Sequence, residues 1–478
     1  MDILLIDPPF SSLKGIPADC GYNVGQTSLA AYLRRDGIDT AILMGDLLMG
    51  LPAFDTWSAD QENGQTASGT EELAKAWDNY VASVNDKTRS VWGKLKDVVR
   101  ESNPTAVGIA YLSPLKPVVE RIAGLIKEVN PDIKIIVGAS HPTLCPDEVM
   151  RNQDIDFIVR GEGEIPLLSL VKEIKKDTPR WENVPGIHYR DSNGEVKNTP
   201  GVNLIPDLDG LPFLARDLVL DCDYNLYQVH NISTSRGCPY TCSFCADRRL
   251  WGGKVRRRSL DNVFEEIMLL KDTYPIRSID FTDGTFTYDK RYLKEFCERL
   301  ISLDLGIVWR CTARYDNIDK EVIELMKQSN CGGVYFGLES GSERMLKMMD
   351  KKTNLEQTLS VSELVYNTGV YIITSLVMGL PYETEEDMQE TIKVMKEIKT
   401  DLFVVNSFTP LPGTSLYDSM SQEEKDNIDY LKMGYQSFEN YFSKAVSRET
   451  FNKYLKEAHE IEDATFKNTL ARFRASQE

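Results

Sequence analysis

Ser235-Arg236-Gly237-Cys238-Pro239-Tyr240-Thr241-Cys242-Ser243-Phe244-Cys245 spaces three cysteines by three and then two intervening residues. Three thiolates in one short loop can hold three irons of a four-iron cluster and leave the fourth open, whereas an electron-transfer cluster takes four protein ligands. An open iron is a place for chemistry. A structural zinc would ask for four closed ligands, and no second Cys-x-x-Cys and no His-x-x-x-His follows the loop. The four histidines, His141, His188, His230 and His459, lie outside it.

Around the loop, short apolar runs recur at Asn231 to Thr234, Ser278 to Thr282, Ile307 to Cys311, Gly333 to Leu338, Tyr371 to Met378 and Phe403 to Phe408, with helix-like segments between them. On a barrel of such units the chemistry belongs at the carboxyl ends of strands. Those ends read Thr282-Asp283-Gly284-Thr285-Phe286, Arg310-Cys311-Thr312-Ala313-Arg314, Gly337-Leu338-Glu339-Ser340-Gly341, Val377-Met378-Gly379-Leu380-Pro381 and Thr409-Pro410-Leu411-Pro412-Gly413-Thr414. Asp283 is a hydrogen-bond acceptor, and the Arg314 fork suits a carboxylate. Glu339 needs donors if buried, which a ligand or a neighbouring arginine could supply. Gly379 would let the backbone approach a ligand.

The first part of the chain has the same rhythm. Ile3 to Ile6, Thr40 to Met44, Ala106 to Ala110, Lys134 to Val137 and Phe157 to Val159 read as strands, with helices such as Thr27 to Arg35 and Val118 to Val129 between them. This alternation predicts a parallel sheet that binds ligands beyond the carboxyl ends of its strands. The ends carry Ser113-Pro114-Leu115, Gly138-Ala139-Ser140-His141-Pro142 and Arg160-Gly161-Glu162-Gly163-Glu164. An insertion, 52–103, is polar at first and then has helical spacing with Trp77, Tyr80, Val84, Trp92 and Leu95, which suit a core or a substrate wall equally. Val196 to Ala215, with Pro200, Pro206, Gly210 and Pro212, reads as a connector.

The triplet, with Phe244 in its aromatic position, resembles the Cys-x-x-x-Cys-x-aromatic-Cys of the radical S-adenosylmethionine (SAM) superfamily. The resemblance implies a [4Fe-4S] cluster on Cys238, Cys242 and Cys245 whose open iron binds SAM and, after one-electron reduction, cleaves it to a 5′-deoxyadenosyl radical. It implies SAM contacts from Phe244, Asp283, Gly284, Arg314, Glu339, Ser340 and Gly379, with Glu339 accepting from the ribose hydroxyls. The preceding region resembles the cobalamin-binding domain found ahead of many such cores, in which a Ser-x-Leu precedes a Gly-Gly. That implies corrinoid contacts from Ser113, Leu115, Gly138, His141, Gly161 and Glu162. Two departures stand out: Ala139 replaces the second glycine, and Asp7-Pro8-Pro9-Phe10 supplies no cobalt-ligating histidine.

The expected fold is therefore α/β. A Rossmann-like (flavodoxin-like) cobalamin-binding domain at 1–195 leads through a linker at 196–227 to a partial (β/α)6 radical SAM barrel at 228–418. A helical region at 419–478 follows. The resemblance implies a cobalamin-dependent radical SAM C-methyltransferase acting on an unactivated carbon. Cyclisation or ring rearrangement is the alternative on the same domains. A tRNA methylthiotransferase would want a second cysteine triplet, which Cys20, Cys145 and Cys222 do not form, and a non-enzymatic cobalamin or iron–sulfur binding protein would not need the strand-end series from Asp283 to Gly379.

A net charge of −18 argues against nucleic acid as a partner. The one basic run, Lys254 to Arg258, reads as a solvated face or as a contact to an anionic ligand. No apolar run is long enough to span a membrane, and no signal peptide is apparent at the start, so a cytoplasmic location is expected. Expected partners are a small-molecule or peptide substrate and an electron donor such as flavodoxin or ferredoxin. Of the remaining cysteines, Cys297 and Cys331 suit apolar packing, while Cys311 stands near a strand end where a substrate could lie.

Overall fold

The computed structural model describes residues 1–16, 18–19, 23–50, 53–54, 70–201, 203–224, 229–435 and 437–475. Ile3–Asp7 (β1) is an apolar run buried on both faces, the signature of a strand covered by helices on either side. Thr40–Met44 (β2), Ala106–Ala110 (β3), Lys134–Gly138 (β4) and Phe157–Val159 (β5) extend the same parallel sheet. Its order is β2-β1-β3-β4-β5, so the chain reverses direction across the sheet between β1 and β3. A crevice at such a switch point is where these sheets bind ligands.

Val24–Arg35 (α1) and Glu164–Ile174 (α5) cover one face, and Lys116–Val129 (α4) the other. The insertion contributes Thr70–Asn85 (α2) and Ser90–Ser102 (α3). Their Trp77, Tyr80, Val84, Trp92 and Leu95 pack into the core beside Val118 and Ile122 of α4 and form no substrate wall. Residues 55–69 of the insertion lie outside the described residues, as do Cys20 and Gln228.

The connector was expected from residue 196, yet Ile187–Arg190 (β6) and Val196–Asn198 (β7) add an antiparallel hairpin to the sheet edge. All three residues of β7 are exposed, so no apolar alternation marks the strand. Further on, Arg216 enters the second half and bonds Glu266 Oε1 at 3.1 Å and the Asn231 carbonyl at 2.5 Å.

Val229–Ile232 (β8) starts the second sheet. The chain then turns into Ser235–Arg236 (β9), which pairs antiparallel with Arg256–Arg257 (β10) and closes the cysteine loop at its base. At Gly237 φ is +97°, and a Cβ there would stand 2.3 Å from the Lys254 carbonyl oxygen, so only glycine passes. Ser278–Phe281 (β11), Val308–Ala313 (β12), Cys331–Glu339 (β13), Tyr371–Met378 (β14) and Leu402–Ser407 (β15) follow, all parallel, in the order β8-β11-β12-β13-β14-β15. Leu260–Thr273 (α6), Lys290–Leu303 (α7), Lys320–Gln328 (α8), Leu355–Asn367 (α9) and Glu385–Glu397 (α10) connect them.

The tail is helical only in part. Arg448–Ala475 (α11) lies along β15 and α10 and buries Phe451, Leu455 and Ala458 against the second core. From 427 to 435 and from 437 to 447 the chain runs in turns and loops instead of the expected helix, and Asn440 Nδ2 fastens the second of these segments to the Phe408 carbonyl at 3.0 Å and Thr409 Oγ1 at 2.7 Å. Among the described residues no helix is long and apolar enough to cross a membrane.

Candidate active site between the two sheets

The carboxyl ends of the first sheet face the cysteine loop across a cavity of about 640 Å³. One wall is built from Asp7, Ala110, Gly138, Ala139 and Gly161, at or just beyond the ends of β1, β3, β4 and β5. The other comes from Ser235, Arg236, Gly237, Thr282 and Gly284. Leu115 and Glu162 also line it, so four of the six expected corrinoid residues meet here.

Ser113 and His141 are not part of the lining. Ser113 Oγ stands 2.9 Å from His141 Nδ1, and the imidazole stacks on Tyr111 with ring centroids 4.8 Å apart. His141 is fully buried, and burial pushes its pKa down to about 3, with the Lys116 charge acting in the same direction. Its Nε2 is buried without a hydrogen-bond partner, 4.0 Å from Glu148 Oε2.

Sequence reading passed over the polar groups of this wall. Asp7 accepts a hydrogen bond from Asn23 Nδ2 at 2.8 Å, and burial followed by the Asp46 charge pushes its carboxyl up to about 7. Gln26 donates to the Ile6 carbonyl at 2.9 Å, while its Oε1 is buried without a partner. An orphaned buried acceptor calls for a donor, which a ligand edged with carboxamides, such as a corrinoid, brings. The Asp7 signal was available in the sequence as the first acidic residue after a buried strand.

Ala139 has φ +78° and ψ −158°, a region essentially reserved for glycine and costing about 1–3 kcal/mol otherwise. Replacing Ala139 with glycine is therefore expected to raise the melting temperature of the ligand-free protein, as read by thermal unfolding. An unchanged or lowered value would mean that the backbone there carries no strain.

The loop that follows Gly237 carries Cys238, Cys242 and Cys245, none of them in a disulfide. Among the described residues no three His, Cys, Asp or Glu side chains form a ready single-metal site. Three cysteines carried by one loop are one ligand short of a closed zinc site and match the three protein ligands of a four-iron group with an open iron. Burial pushes the Cys245 thiol up to about 12 and raises Cys242 despite the Lys351 and Arg314 charges beside it. Iron would displace those protons on binding. Gly284 lets the cysteine loop approach, since a Cβ there would lie 2.9 Å from Asp247 Oδ2 and 3.4 Å from Cys238 Cβ.

The expected SAM residues take more specific places. Asp283 is 1% exposed and its carboxylate is occupied by Thr234 N–H at 3.1 Å, Thr234 Oγ1 at 2.7 Å and Ser235 Oγ. It ties β11 to the turn after β8, and the carbonyls of Asp283 and Gly284 each already accept one hydrogen bond, from Thr312 Oγ1 and, at 2.7 Å, from Thr285 Oγ1. Arg314 is likewise engaged, with Asp316 at 2.9 Å through both Nε and Nη2 and with the Lys351 carbonyl at 2.6 Å. Its Nη1 stands 3.9 Å from Cys242 Sγ, which makes it a cation beside the thiol and not a free fork.

Glu339, at φ +70°, accepts from Lys351 Nζ at 2.7 Å, a lysine where an arginine was the alternative. Ser340 is buried within hydrogen-bond reach of Thr391, at 3.2 Å. Gly379, at φ +87°, donates its N–H to Glu383, a fully buried carboxyl that burial pushes up to about 8. Phe244 packs with Met345, Met349 and Leu380.

Cys311 lies in the core of the second sheet, 3% exposed, and burial raises its thiol well above the ordinary range. It does not face a substrate. The basic run divides: Arg256 pairs with Glu162 at 2.8 Å and Arg258 with Glu266 at 2.6 Å, while the Arg257 guanidinium lies 4.6 Å from the Tyr292 ring with both terminal nitrogens buried and unbonded.

A model of the B12 binding domain matches residues 79–171, and one of the Radical SAM superfamily matches residues 232–395. An uncharacterized methyltransferase of Pyrococcus horikoshii is 32% identical over 324 residues, 67% of this chain and 70% of its own length. An anaerobic magnesium-protoporphyrin IX monomethyl ester cyclase of Rubrivivax gelatinosus is 31% identical over 343 residues, 69% of this chain and 61% of its own. The solved structure of the radical SAM methyltransferase TsrM of Kitasatospora setae superposes with a TM-score of 0.62 at 17% identity, covering 87% of this chain and 77% of that one, a likeness of fold. The chain belongs to the radical SAM superfamily, in the branch that carries a B12-binding domain ahead of the radical SAM domain.

Proposed function

We propose that this radical SAM enzyme methylates an unactivated carbon of a small-molecule or peptide substrate held between its two cofactor sites. The observation that carries the reading is the shared cavity, whose wall runs from the strand ends of the B12-binding sheet to Gly237, the residue before the first cluster cysteine. When bound, the cluster and SAM supply a 5′-deoxyadenosyl radical, and the corrinoid supplies the methyl group.

The chain's own residues do the holding. Cys238, Cys242 and Cys245 would take three irons, and Arg314 and Lys351 would offset the negative charge gathered beside Cys242. The loop carbonyls after Asp283 and the carboxylate of Glu339 would accept from the amino group and ribose of SAM. Gly379, where a Cβ would stand 2.6 Å from the Phe451 ring, would leave its backbone open to the adenine. Leu115, Gly138 and Gly161 would face the corrinoid, with Gln26 Oε1 as its acceptor. The apolar parts of the wall, including Leu112 and Trp251, limit water that would quench a radical. An electron donor such as flavodoxin or ferredoxin would deliver the reducing electron.

The relative named as a cyclase supports a second reading, in which the same cavity serves ring closure without methyl transfer. One experiment separates them. Anaerobically reconstituted protein should hold about four irons and four sulfides and retain hydroxocobalamin through gel filtration. Products on candidate substrates should gain about 14 Da, one net CH2 from the methyl donor. A loss of two hydrogens instead would favour the cyclase reading, and a protein that binds no corrinoid would overturn both.

A further inference from the structure

Glu162 stands on the turn between β5 and α5 and Glu164 is the first residue of α5, while Arg236 stands on β9, two residues ahead of Cys238. Arg236 Nη1 donates to Glu162 at 2.5 Å and Nη2 to Glu164 at 2.6 Å. Across the hairpin, Arg256 donates to the second Glu162 oxygen at 2.8 Å, and the Ile205 N–H donates to that oxygen at 2.6 Å. Ser28 Oγ donates to Glu164 at 3.0 Å. The side chains of Glu162 and Glu164 are 1% and 5% exposed. Burial alone would raise the Glu162 carboxyl, but the hydrogen bonds from Arg256, Arg236 and Ile205 hold it below its ordinary value, so it stays ionised.

Two cations and two anions are thus withdrawn from water at the seam between the sheets. An apolar seam would hold the halves together as well or better, because desolvating charges is expensive. What charges add is direction: a guanidinium fork accepts carboxylates only in a narrow geometry. Three of the four charges also stand where direction matters, since Glu162, Glu164 and Arg236 line the shared cavity together with Gly237.

We propose that Arg236 is a positioning residue: by clamping Glu162 and Glu164 it fixes where the cysteine loop stands relative to the corrinoid side of the cavity. The proposal rests on the functional reading above and assigns Glu162 to the clamp instead of to the corrinoid. It predicts that breaking the clamp leaves both groups bound while their separation loses definition.

The test uses protein loaded with cluster and cob(II)alamin. In the wild type, the reduced cluster should speed the spin relaxation of the cobalt signal at a single rate, because dipolar coupling falls steeply with separation. Arg236→Met and Glu162→Gln should keep full iron, sulfide and corrinoid content but show a lost or widely spread enhancement. Turnover should fall by up to about 100-fold, as for small misplacements of reacting groups, with an unchanged KM for SAM. Arg236→Lys, which keeps the charge without the fork, should restore folding stability but not the single rate. An unchanged enhancement in Arg236→Met overturns the clamp, even where the melting temperature drops, since that is the mark of a merely structural pair. If Arg236→Met does not fold, Glu162→Gln decides alone, because it keeps the acceptor for Ile205. Wild-type protein that takes up no cluster or corrinoid overturns the functional reading and the clamp with it.

Discussion

Replacing Cys242 with alanine is expected to abolish SAM cleavage to 5′-deoxyadenosine, with iron and sulfide falling far below the wild-type complement of about four each. Three thiols are the minimum that hold a four-iron group while leaving one iron open, so no remaining ligand can substitute. Cys145, Cys222, Cys297, Cys311 and Cys331 are likewise outside any disulfide, but none belongs to the loop. Cys242 is the most informative of the three because two cations, Arg314 and Lys351, act on its thiol. The variant leaves those cations without a thiolate, and the loss should extend beyond one missing bond. Cys297→Ala is the matched control: that thiol is fully buried among Phe296, Leu300 and Ile323, and its loss should lower stability while leaving iron content intact. The measurements are iron and sulfide analysis, the broad visible absorbance of the reconstituted protein, and chromatographic detection of 5′-deoxyadenosine. A Cys242→Ala protein that still produces deoxyadenosine would remove the cluster from this loop.

The alternation of buried strands and helices was legible because the central strands of both sheets are parallel and buried, so β1 and β2 read as apolar runs and β14 is interrupted only by the buried Thr374 and Ser375. The cysteine loop was legible because its ligands are local. What sequence could not show is pairing across distance. Arg236 and Glu162 are 74 positions apart, and Arg216 and Glu266 are 50 apart. A charge that meets its partner through the fold looks identical, in the chain, to one that meets water. Arg256 and Arg258 were read as solvated or ligand-facing for this reason, and both are ion-paired. Asp283 and Arg314 stand near the expected place with their functional atoms already engaged. The β6–β7 hairpin escaped because an exposed edge strand needs no apolar pattern.

These engagements sharpen what a ligand can meet. A strand end offers its backbone more reliably than its side chains, because the side chains are free to close the fold. Gly284, Gly138 and Gly161 line the cavity as backbone, whereas Asp283 beside them is consumed by Thr234 and Ser235. Glu339 is the exception that a variant can question, since one neighbour holds it.

Lys351→Met is expected to destabilise the protein by about 3–5 kcal/mol, the usual cost of leaving a buried charge without its partner. Glu339 is 7% exposed, sits at φ +70° and takes its hydrogen bond from Lys351 Nζ at 2.7 Å, with the lysine side chain itself 6% exposed. Methionine fills much of the same space, so the penalty comes from the stranded carboxylate and not from a cavity. Pairing Lys351→Met with Glu339→Gln should recover much of the loss, because a neutral amide costs far less to bury than an unpaired charge. Stability and function then separate. If Glu339 accepts from the ribose of SAM, the double variant regains its melting temperature while its affinity for SAM stays weak, since the amide is a poorer acceptor than the carboxylate. Chemical denaturation reads the first quantity and equilibrium binding of SAM to the reconstituted protein reads the second. A double variant that binds SAM as tightly as the wild type would reduce Glu339 to half of an ion pair, with the ribose left to the backbone of β13 and β14.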